Sequence, residues 1–284
     1  MFKVFGYRQL LLITLVLCFM MLMGALLNTI SPYVTALSQN CISLPIVMYH
    51  QISETGNYGD YILPLSILEA DFRYFKDKGI NPISFKQLLA FCKAGITLPP
   101  NPIIITFDDG ERSFLTKVVP LLEKYRYPAN VNIIGSLSEL YTKNGDTNDA
   151  YAYLNYNDIE ILHNHSLVEL GCHTYNLHSL NNRRGVAMLK GETESQYLKI
   201  ISRDINRFNN MYKNITGDSL FIFAYPYGIK NDVIAQYLNE SGYKITLTSR
   251  EAVNRLSPGS SLNDLGRFNR PYGINPEDFY KKLF

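Results

Sequence analysis

Net charge is nearly absent from this chain. Its 27 Lys and Arg stand against 25 Asp and Glu, a formal balance of +2. That excludes the basic footprint of a nucleic-acid binder, and no nucleic-acid partner is expected. Cysteine is scarce: Cys18, Cys41, Cys92 and Cys172 are the four present. None forms a C-x-x-C spacing and Cys18 sits in an apolar run, so neither a disulfide framework nor a cysteine metal site is expected. Cys41, Cys92 and Cys172 each read as a small buried apolar residue. Tryptophan is missing altogether, while tyrosine numbers 21. Tyrosine carries an apolar ring with a polar tip and suits carbohydrate or other wet interfaces, although it is also favoured in β-strands. No repeat or low-complexity tract is visible, which removes the solenoids and tails.

What remains is an ordinary globular composition. Hydrophobic residues make up 46% of 284, enough for a sizeable core in one large domain or two small ones. Lys3 and Arg8 precede the uncharged run Leu10 to Leu27. A positive region before an apolar one predicts that residues 1–28 are a secretory signal peptide, or a membrane anchor if retained. Asn28, Thr29, Ser31 and Ala36 favour cleavage, and Cys18 and Cys41 lack the small preceding residues of a lipoprotein signal. Residues 29–44 read as a linker and 45–284 as the folded domain.

Along that domain strands and helices alternate. The strands are short and apolar on both faces, as in a parallel sheet covered by helices. Ser66 with Glu69, and Ser84 with Gln87, predict two capped helices that stop at Gly79 and Gly95. A helical region around 113–126 is expected to be interrupted at Pro120. A tyrosine-rich loop from Tyr141 to Tyr156, a long amphipathic helix from Glu194 to Tyr212 and helices from Asp232 and Pro276 follow. An α/β domain, barrel-like, accounts for the pattern. In such folds chemistry gathers where strands end.

Three polar clusters sit at those ends. TFDDG, Thr106 to Gly110, is either a strand-ending turn or a pair of carboxylates whose mutual repulsion a cation relieves. In the second case one aspartate can hold a metal while the other stays free as a base. GCHTYNLHSL holds His173 and His178, five positions apart. On one helix that is about 140° of rotation, so they would not share a face. Across a strand end and a turn they can converge; the alternative is a pair of surface loop histidines. Joined with Asp109 they form a two-histidine, one-carboxylate set with an open position. It suits one divalent ion, zinc foremost, with cobalt, nickel or manganese as alternatives. Such an ion acidifies water and polarises a carbonyl. FAYPYG, Phe223 to Gly228, is a turn or an oxyanion-binding loop, and spacing does not choose. His163 and His165, at the end of a predicted helix, read as helix-terminus residues.

Together, TFDDG, the downstream histidine pair and PYG resemble the polysaccharide deacetylases of the NodB-homology type, carbohydrate esterase family 4. Order and separation match over about residues 102–284. The resemblance implies a single catalytic domain of distorted (β/α)-barrel fold, with Asp108 as general base. It implies Asp109, His173 and His178 as metal ligands, and the Tyr227 backbone, beside Tyr225 and Pro226, on the oxyanion and substrate. There are departures. H-T-Y-N-L-H is one residue longer than the commoner spacing. Ala224 stands where the family has an arginine that orients the base, leaving Arg267 or Arg270 as substitutes. The family's tryptophan motif cannot exist here, and its late acid histidine is missing, because no histidine follows His178.

VMYH upstream and HTYNLH downstream are similar to the branch of poly-β-1,6-N-acetyl-D-glucosamine N-deacetylases from biofilm systems, and most of all to its intercellular-adhesion type. In that branch the barrel is circularly permuted and the acid histidine comes from the N-terminal strand, which here is His50. The resemblance implies metal-dependent removal of acetate from an extracellular N-acetylglucosamine polymer, leaving cationic units that promote surface retention and biofilm formation. It also implies a secreted, surface- or wall-associated monomer. Peptidoglycan, chitin-like oligomers or acetyl-xylan are alternative substrates. A non-catalytic carbohydrate-binding protein is an alternative of another class. The tyrosine-rich stretch either docks the protein on membrane or wall or is a solvated loop.

Overall fold

The computed structural model describes Gly6, residues 15–24 and residues 41–284. Residues 15–24 are helical; the rest of the expected leader apart from Gly6, and the expected linker as far as residue 40, lie outside the described residues. Among the described residues no helix is long and apolar enough to cross a membrane. Met1–Cys41 and Ile42–Phe284 form separate units. The second unit holds every strand among the described residues.

These strands are β1 (Ile42–Leu44), β2 (Ile46–Tyr49), β3 (Gln51–Ile52), β4 (Ile62–Leu63), β5 (Asn81–Pro82), β6 (Pro102–Phe107), β7 (Ala129–Ile133), β8 (Val168–Cys172), β9 (Ile222–Ala224), β10 (Ile245–Leu247), β11 (Asn254–Leu256) and β12 (Phe268–Asn269). The main sheet runs β10-β9-β8-β7-β6-β2-β12, with β5 also on β6. Every pairing in it is parallel. A parallel bridge between Leu247 and Leu265 ties β10 to the segment that enters β12. The expected barrel is therefore a half-barrel whose two edges are drawn together by that segment. The linker expected as far as residue 44 ends earlier: Ile42–Leu44 pair antiparallel with β11, because Ile42 and Leu44 have apolar partners to pack on.

The helices are α1 (Leu65–Lys78), α2 (Phe85–Ala94), α3 (Val119–Tyr125), α4 (Gly135–Asn144), α5 (Tyr156–His163), α6 (Glu194–Thr216), α7 (Asp232–Glu240) and α8 (Pro276–Tyr280). The Ser84–Gln87 capping box and the Gly95 stop form as expected on α2, as does the Gly79 stop on α1. Ser66 does not cap α1. Pro64 takes the N-cap place in extended conformation, which starts the helix early and leaves Ser66 inside the first turn. The interruption near Pro120 is a wide π turn over Phe114–Val118 that runs into α3. Proline has no N–H to give, so the α-type bond is lost there. The tyrosine-rich loop is shorter than expected, because Tyr141 belongs to α4 and Tyr156 opens α5. Cys92 and Cys172 are buried as expected, whereas Cys41 is exposed.

Two core clusters follow from the pleat of β6. Ile103, Ile105 and Phe107 join α1, α5 and α6 in one. Ile104 joins α2 in the other, which plugs one end of the half-barrel. Glu169 of β8 fastens that plug, accepting from the Phe85 and Lys86 N–H groups at 2.6 and 2.9 Å. Across the structure, Arg270 donates twice to Asp71 of α1, at 2.9 Å each. Tyr49 donates to the same carboxylate at 2.8 Å and meets Tyr280 at 2.6 Å. This network joins the first long strand, the first helix and the C-terminal helix inside the core.

Both partners of the Asp71–Arg270 pair are fully buried, so removing one leaves an uncompensated charge. Asp71→Ala is expected to cost about 3–5 kcal/mol in urea unfolding. Asp71→Ala with Arg270→Met should recover a good part of it. A single-variant loss comparable to a surface ion pair would show that the pair is solvated.

Candidate active site

The inward row of β6 continues Ile104, Thr106, Asp108, since alternate residues of a strand share a face. Asp108 is fixed through its backbone, donating to the Tyr49 carbonyl at 3.0 Å. Its side chain accepts two bonds from Arg267, each 2.7 Å, and one from Asn132 at 2.8 Å. Arg267 is itself held by the Thr248 carbonyl at 2.9 Å. Burial alone would raise the Asp108 carboxyl. The Arg267 charge and then His173 overturn that and hold it well below the usual carboxylate range. Two bonds reach Oδ1 and one reaches Oδ2, so Oδ2 keeps the freer lone pair.

Asp109 turns away from its neighbour. Its φ is 69°, and Gly110 follows at 79°, a left-handed pair that favours short polar residues and glycine. The result is a half-buried carboxylate whose Oδ1 is itself buried and has no hydrogen-bond partner. His173 Nε2 lies 3.5 Å and His178 Nε2 3.3 Å from that oxygen. One ligand atom from each residue falls within 4.8 Å of the others. Burial pushes the Asp109 carboxyl up to about 6, against the pull of His173 and with a further push from Asp108. Burial lowers both histidines, which keeps them neutral and able to act as ligands.

The outer contacts of the histidines suit the same reading. His173 Nδ1 is 2.7 Å from the Ala224 carbonyl. A carbonyl only accepts, so Nδ1 carries the hydrogen and Nε2 presents its lone pair to Asp109. His178 Nδ1 is 3.4 Å from the Tyr227 hydroxyl. The donor set, the orphaned oxygen and the fixed tautomer all fit a divalent cation with an open position. The loop between the histidines is pinned by Asp204 of α6, which accepts from the Tyr175 and Asn176 N–H groups at 2.8 Å each.

A cavity of about 500 Å³ gathers the expected residues: His50, Asp108, Asp109, His173, His178 and Tyr227. Its volume is ordinary for a ligand site. His50 ends β2 beside the Asp108 strand, with Nδ1 buried and unpartnered. Burial lowers its pKa to about 4, against the Asp108 charge and with help from Arg267. Tyr225 lines the cavity and Pro226 does not; Pro226 is buried in the turn behind it. Tyr227 has φ 57° there. Of the two candidate arginines Arg267 reaches Asp108, whereas Arg270 is spent on Asp71. His163 and His165 lie outside the cavity, against Tyr212 and Glu123.

Several contributors were not read from the sequence. Asn132 orients Asp108, and Gly171 makes room for it: a Cβ there would stand 2.0 Å from the Asn132 Oδ1. The signal was two asparagines two apart in the apolar strand ANVNII. Tyr61 lines the cavity with its ring edge-on to His50, centroids 4.7 Å apart. Nothing local in the sequence marks it among so many tyrosines.

A family model described as polysaccharide deacetylase matches residues 95–246. A poly-beta-1,6-N-acetyl-D-glucosamine N-deacetylase of Escherichia coli (strain K12) is 25% identical over 225 residues, covering 72% of this chain and 34% of that protein. One of the same description from Staphylococcus aureus (strain MSSA476) is 24% identical over 200 residues, covering 70% of this chain and 65% of that one. The match thus spans about a third of the first relative's length and just under two thirds of the second's. A de-N-acetylase from Aggregatibacter actinomycetemcomitans has the same fold, with a TM-score of 0.74 at 19% identity over 86% of this chain and 100% of its own.

If Asp204 holds the ligand loop in place, Asp204→Ala should weaken metal binding by about 10–100-fold. Titration of the purified variant with Zn²⁺ against a fluorescent chelator measures it. A fall in melting temperature with unchanged metal affinity would assign Asp204 to the fold alone.

Proposed function

The chain belongs to the polysaccharide deacetylase family, hydrolases of N-acetyl amide bonds, and we propose that it removes acetyl groups from poly-β-1,6-N-acetylglucosamine. The observation that carries this reading is the meeting of five side chains, Asp108, Asp109, His173, His178 and His50, on one cavity. They come from three separated stretches of the chain. The names of the E. coli and S. aureus relatives support the choice of polymer.

Asp109, His173 and His178 would hold the metal, taken as zinc. Bound there, it supplies Lewis-acid polarisation of the acetyl carbonyl and lowers the pKa of water. The remaining work falls to the protein. Asp108, kept ionised by Arg267 and aimed by Asn132, takes a proton from the attacking water through its freer oxygen. The Tyr227 turn lies against the carbonyl side, where backbone N–H groups stabilise developing negative charge. An amine leaves poorly unless protonated, so an acid is required. His50 faces the same cavity and gives that proton. Water adds to the acetyl carbon, the C–N bond breaks, and acetate and a glucosamine amine result. The amine is cationic at neutral pH and would help the polymer adhere to anionic surfaces, promoting biofilm formation.

We read the protein as exported and surface-associated, which the charge and apolar pattern of residues 1–28 supports. We also read it as acting as a monomer.

A chelator is expected to abolish acetate release from the polymer, and added Zn²⁺, Co²⁺, Ni²⁺ or Mn²⁺ to restore it; activity indifferent to chelation would remove the metal from the reaction. His50→Ala should lower kcat by about 10²–10⁴-fold with metal content intact, and wild-type turnover would make His50 structural. Asp108→Asn should inactivate with the metal still bound. Loss of metal in that variant would exchange the roles given to the two aspartates. Turnover of peptidoglycan, chitin-like oligomers or acetyl-xylan in preference to the β-1,6 polymer would redirect the substrate. Polymer binding without acetate release would mark a non-catalytic binding protein.

A further inference from the structure

Two arginines stand side by side in the loop that follows the histidine pair, and their surroundings differ. Arg183 is fully engaged inside the loop. Its guanidinium forks onto Glu192, at 3.0 and 2.5 Å, and also donates to the Ala187 carbonyl. Glu192 accepts in turn from the Leu189 N–H at 2.9 Å, and the Tyr197 hydroxyl of α6 donates to the Val186 carbonyl at 2.7 Å. These bonds close residues 183–192 into a fixed loop. Gly185 seats that loop on the Pro226–Tyr227 turn. Its φ is 55°, and a Cβ there would stand 3.0 Å from the Pro226 carbonyl oxygen and 3.2 Å from the Tyr227 ring; glycine permits both the backbone and the approach. Arg184 is thereby set over the Tyr227 ring, 5.6 Å from its centroid, on the wall of the cavity that holds the two aspartates.

Arg184 is exposed, and its guanidinium makes no hydrogen bond or ion pair among the described residues. The other charges that line the cavity have counterparts. Arg267 and Asp108 neutralise one another. Asp109 faces the place proposed for a divalent ion, whose charge exceeds its own. The histidines, neutral or protonated, add no negative charge. No carboxylate among the lining residues is left to balance Arg184, so the loaded cavity carries a surplus of positive charge. An acetylated sugar unit is neutral and meets no penalty there. A unit that has lost its acetyl group carries an ammonium at neutral pH. Like charges repel most where a cavity wall displaces the water that would screen them.

We propose that Arg184 selects substrate by charge: neutral, acetylated stretches of polymer settle in the site, and stretches in which the unit beside the target is already a glucosamine are turned away. This rests on the deacetylase reading of the cavity. Specificity of this kind comes from a repulsive element set against the wrong ligand, without a new contact to the right one. Each deacetylation then protects its immediate neighbours, so the product amines are spaced along the polymer. The same repulsion favours departure of a newly formed ammonium. Arg184 takes no part in the bond-breaking steps; it is a specificity residue.

The test uses the full chain, loaded with Zn²⁺, on three β-1,6-linked tetrasaccharides. One is fully acetylated. One has a single inner unit as free glucosamine. The third has glucose at that unit, which is neutral and also lacks the acetamido group. In the wild type, kcat/KM should be about three- to tenfold lower for the glucosamine oligomer than for the glucose one, the effect of two unit charges across a partly solvated cavity. High salt should shrink that difference, and so should a pH above the pKa of the sugar amine. Arg184→Gln should remove it and Arg184→Lys should keep it. A readout without turnover is the Kd of the fully deacetylated tetrasaccharide by calorimetry, which should tighten by a similar factor in Arg184→Gln. Arg184 is exposed, so folding should survive, and melting temperature checks it. A difference that persists in folded Arg184→Gln would overturn the assignment while leaving the deacetylase reading in place. A wild type that takes the glucosamine and glucose oligomers equally would do the same. Release of no acetate from any of the three would overturn both.

Discussion

Asp108 and Asp109 are consecutive, of like charge and both withdrawn from solvent at the end of an apolar strand. Such a pair cannot persist unless each charge is met separately. The backbone parts them first, since the left-handed turn at Asp109 and Gly110 sends the second carboxylate away from the first. Their compensation then comes from opposite quarters. Asp108 receives a buried guanidinium in a two-pronged bond, with an amide on the side. Asp109 receives two imidazoles and, among the described residues, no ion pair from a lysine or arginine. One carboxylate is held ionised with one oxygen still lightly engaged and the other is left short of positive charge, and that inequality fits the separate roles of proton acceptor and metal ligand proposed for them.

The rest of the fold can be understood as delivering those partners. Arg267 is 159 residues from Asp108 in sequence. It reaches the site because the segment carrying it runs from the β10 edge to β12, drawing the half-barrel together. Arg270, three residues on, secures the same segment to α1 through Asp71. Two buried arginines on one short stretch therefore do different things: one sets the charge state of the site and the other anchors the strand that brings it there. Asn132 and Gly171 stand on neighbouring strands in register, and the missing side chain of one is the space of the other.

Legibility in the sequence followed locality. TFDDG, the histidine pair and the turn at PYG are each written within a few residues, and the structure brings them onto one cavity. The alternation of short apolar strands with helices was enough for the parallel sheet. Capping boxes were legible where serine and glutamine stood three apart before an apolar run, as at Ser84, and misleading where a proline had already begun the helix, as at Ser66. What sequence could not separate were residues of one type close together. Arg267 and Arg270 differ in role only through which aspartate each strand faces. Helix α4 was hidden because Gly135 and two serines near its start look like a loop. Tyr61 is a single tyrosine among 21 and acquires meaning only from the cavity it lines.

His50 is the residue whose place gains most from the geometry. At rest it is a half-buried imidazole that burial keeps neutral, with a pKa lowered to about 4, and Asp108 beside it is held well below the usual carboxylate range. Neither group retains a proton at neutral pH. On the proposed mechanism this is an advantage. A proton taken from water by Asp108 does not stay there, because Arg267 already satisfies the ionised form. The metal ligands cannot receive it without giving up their lone pairs. His50 can, once negative charge develops on the substrate within the same cavity and favours the imidazolium through Coulomb attraction in a poorly solvated space. The acid is therefore made when the leaving amine needs it, and a histidine at the end of the first long strand completes a site whose other members lie far down the chain.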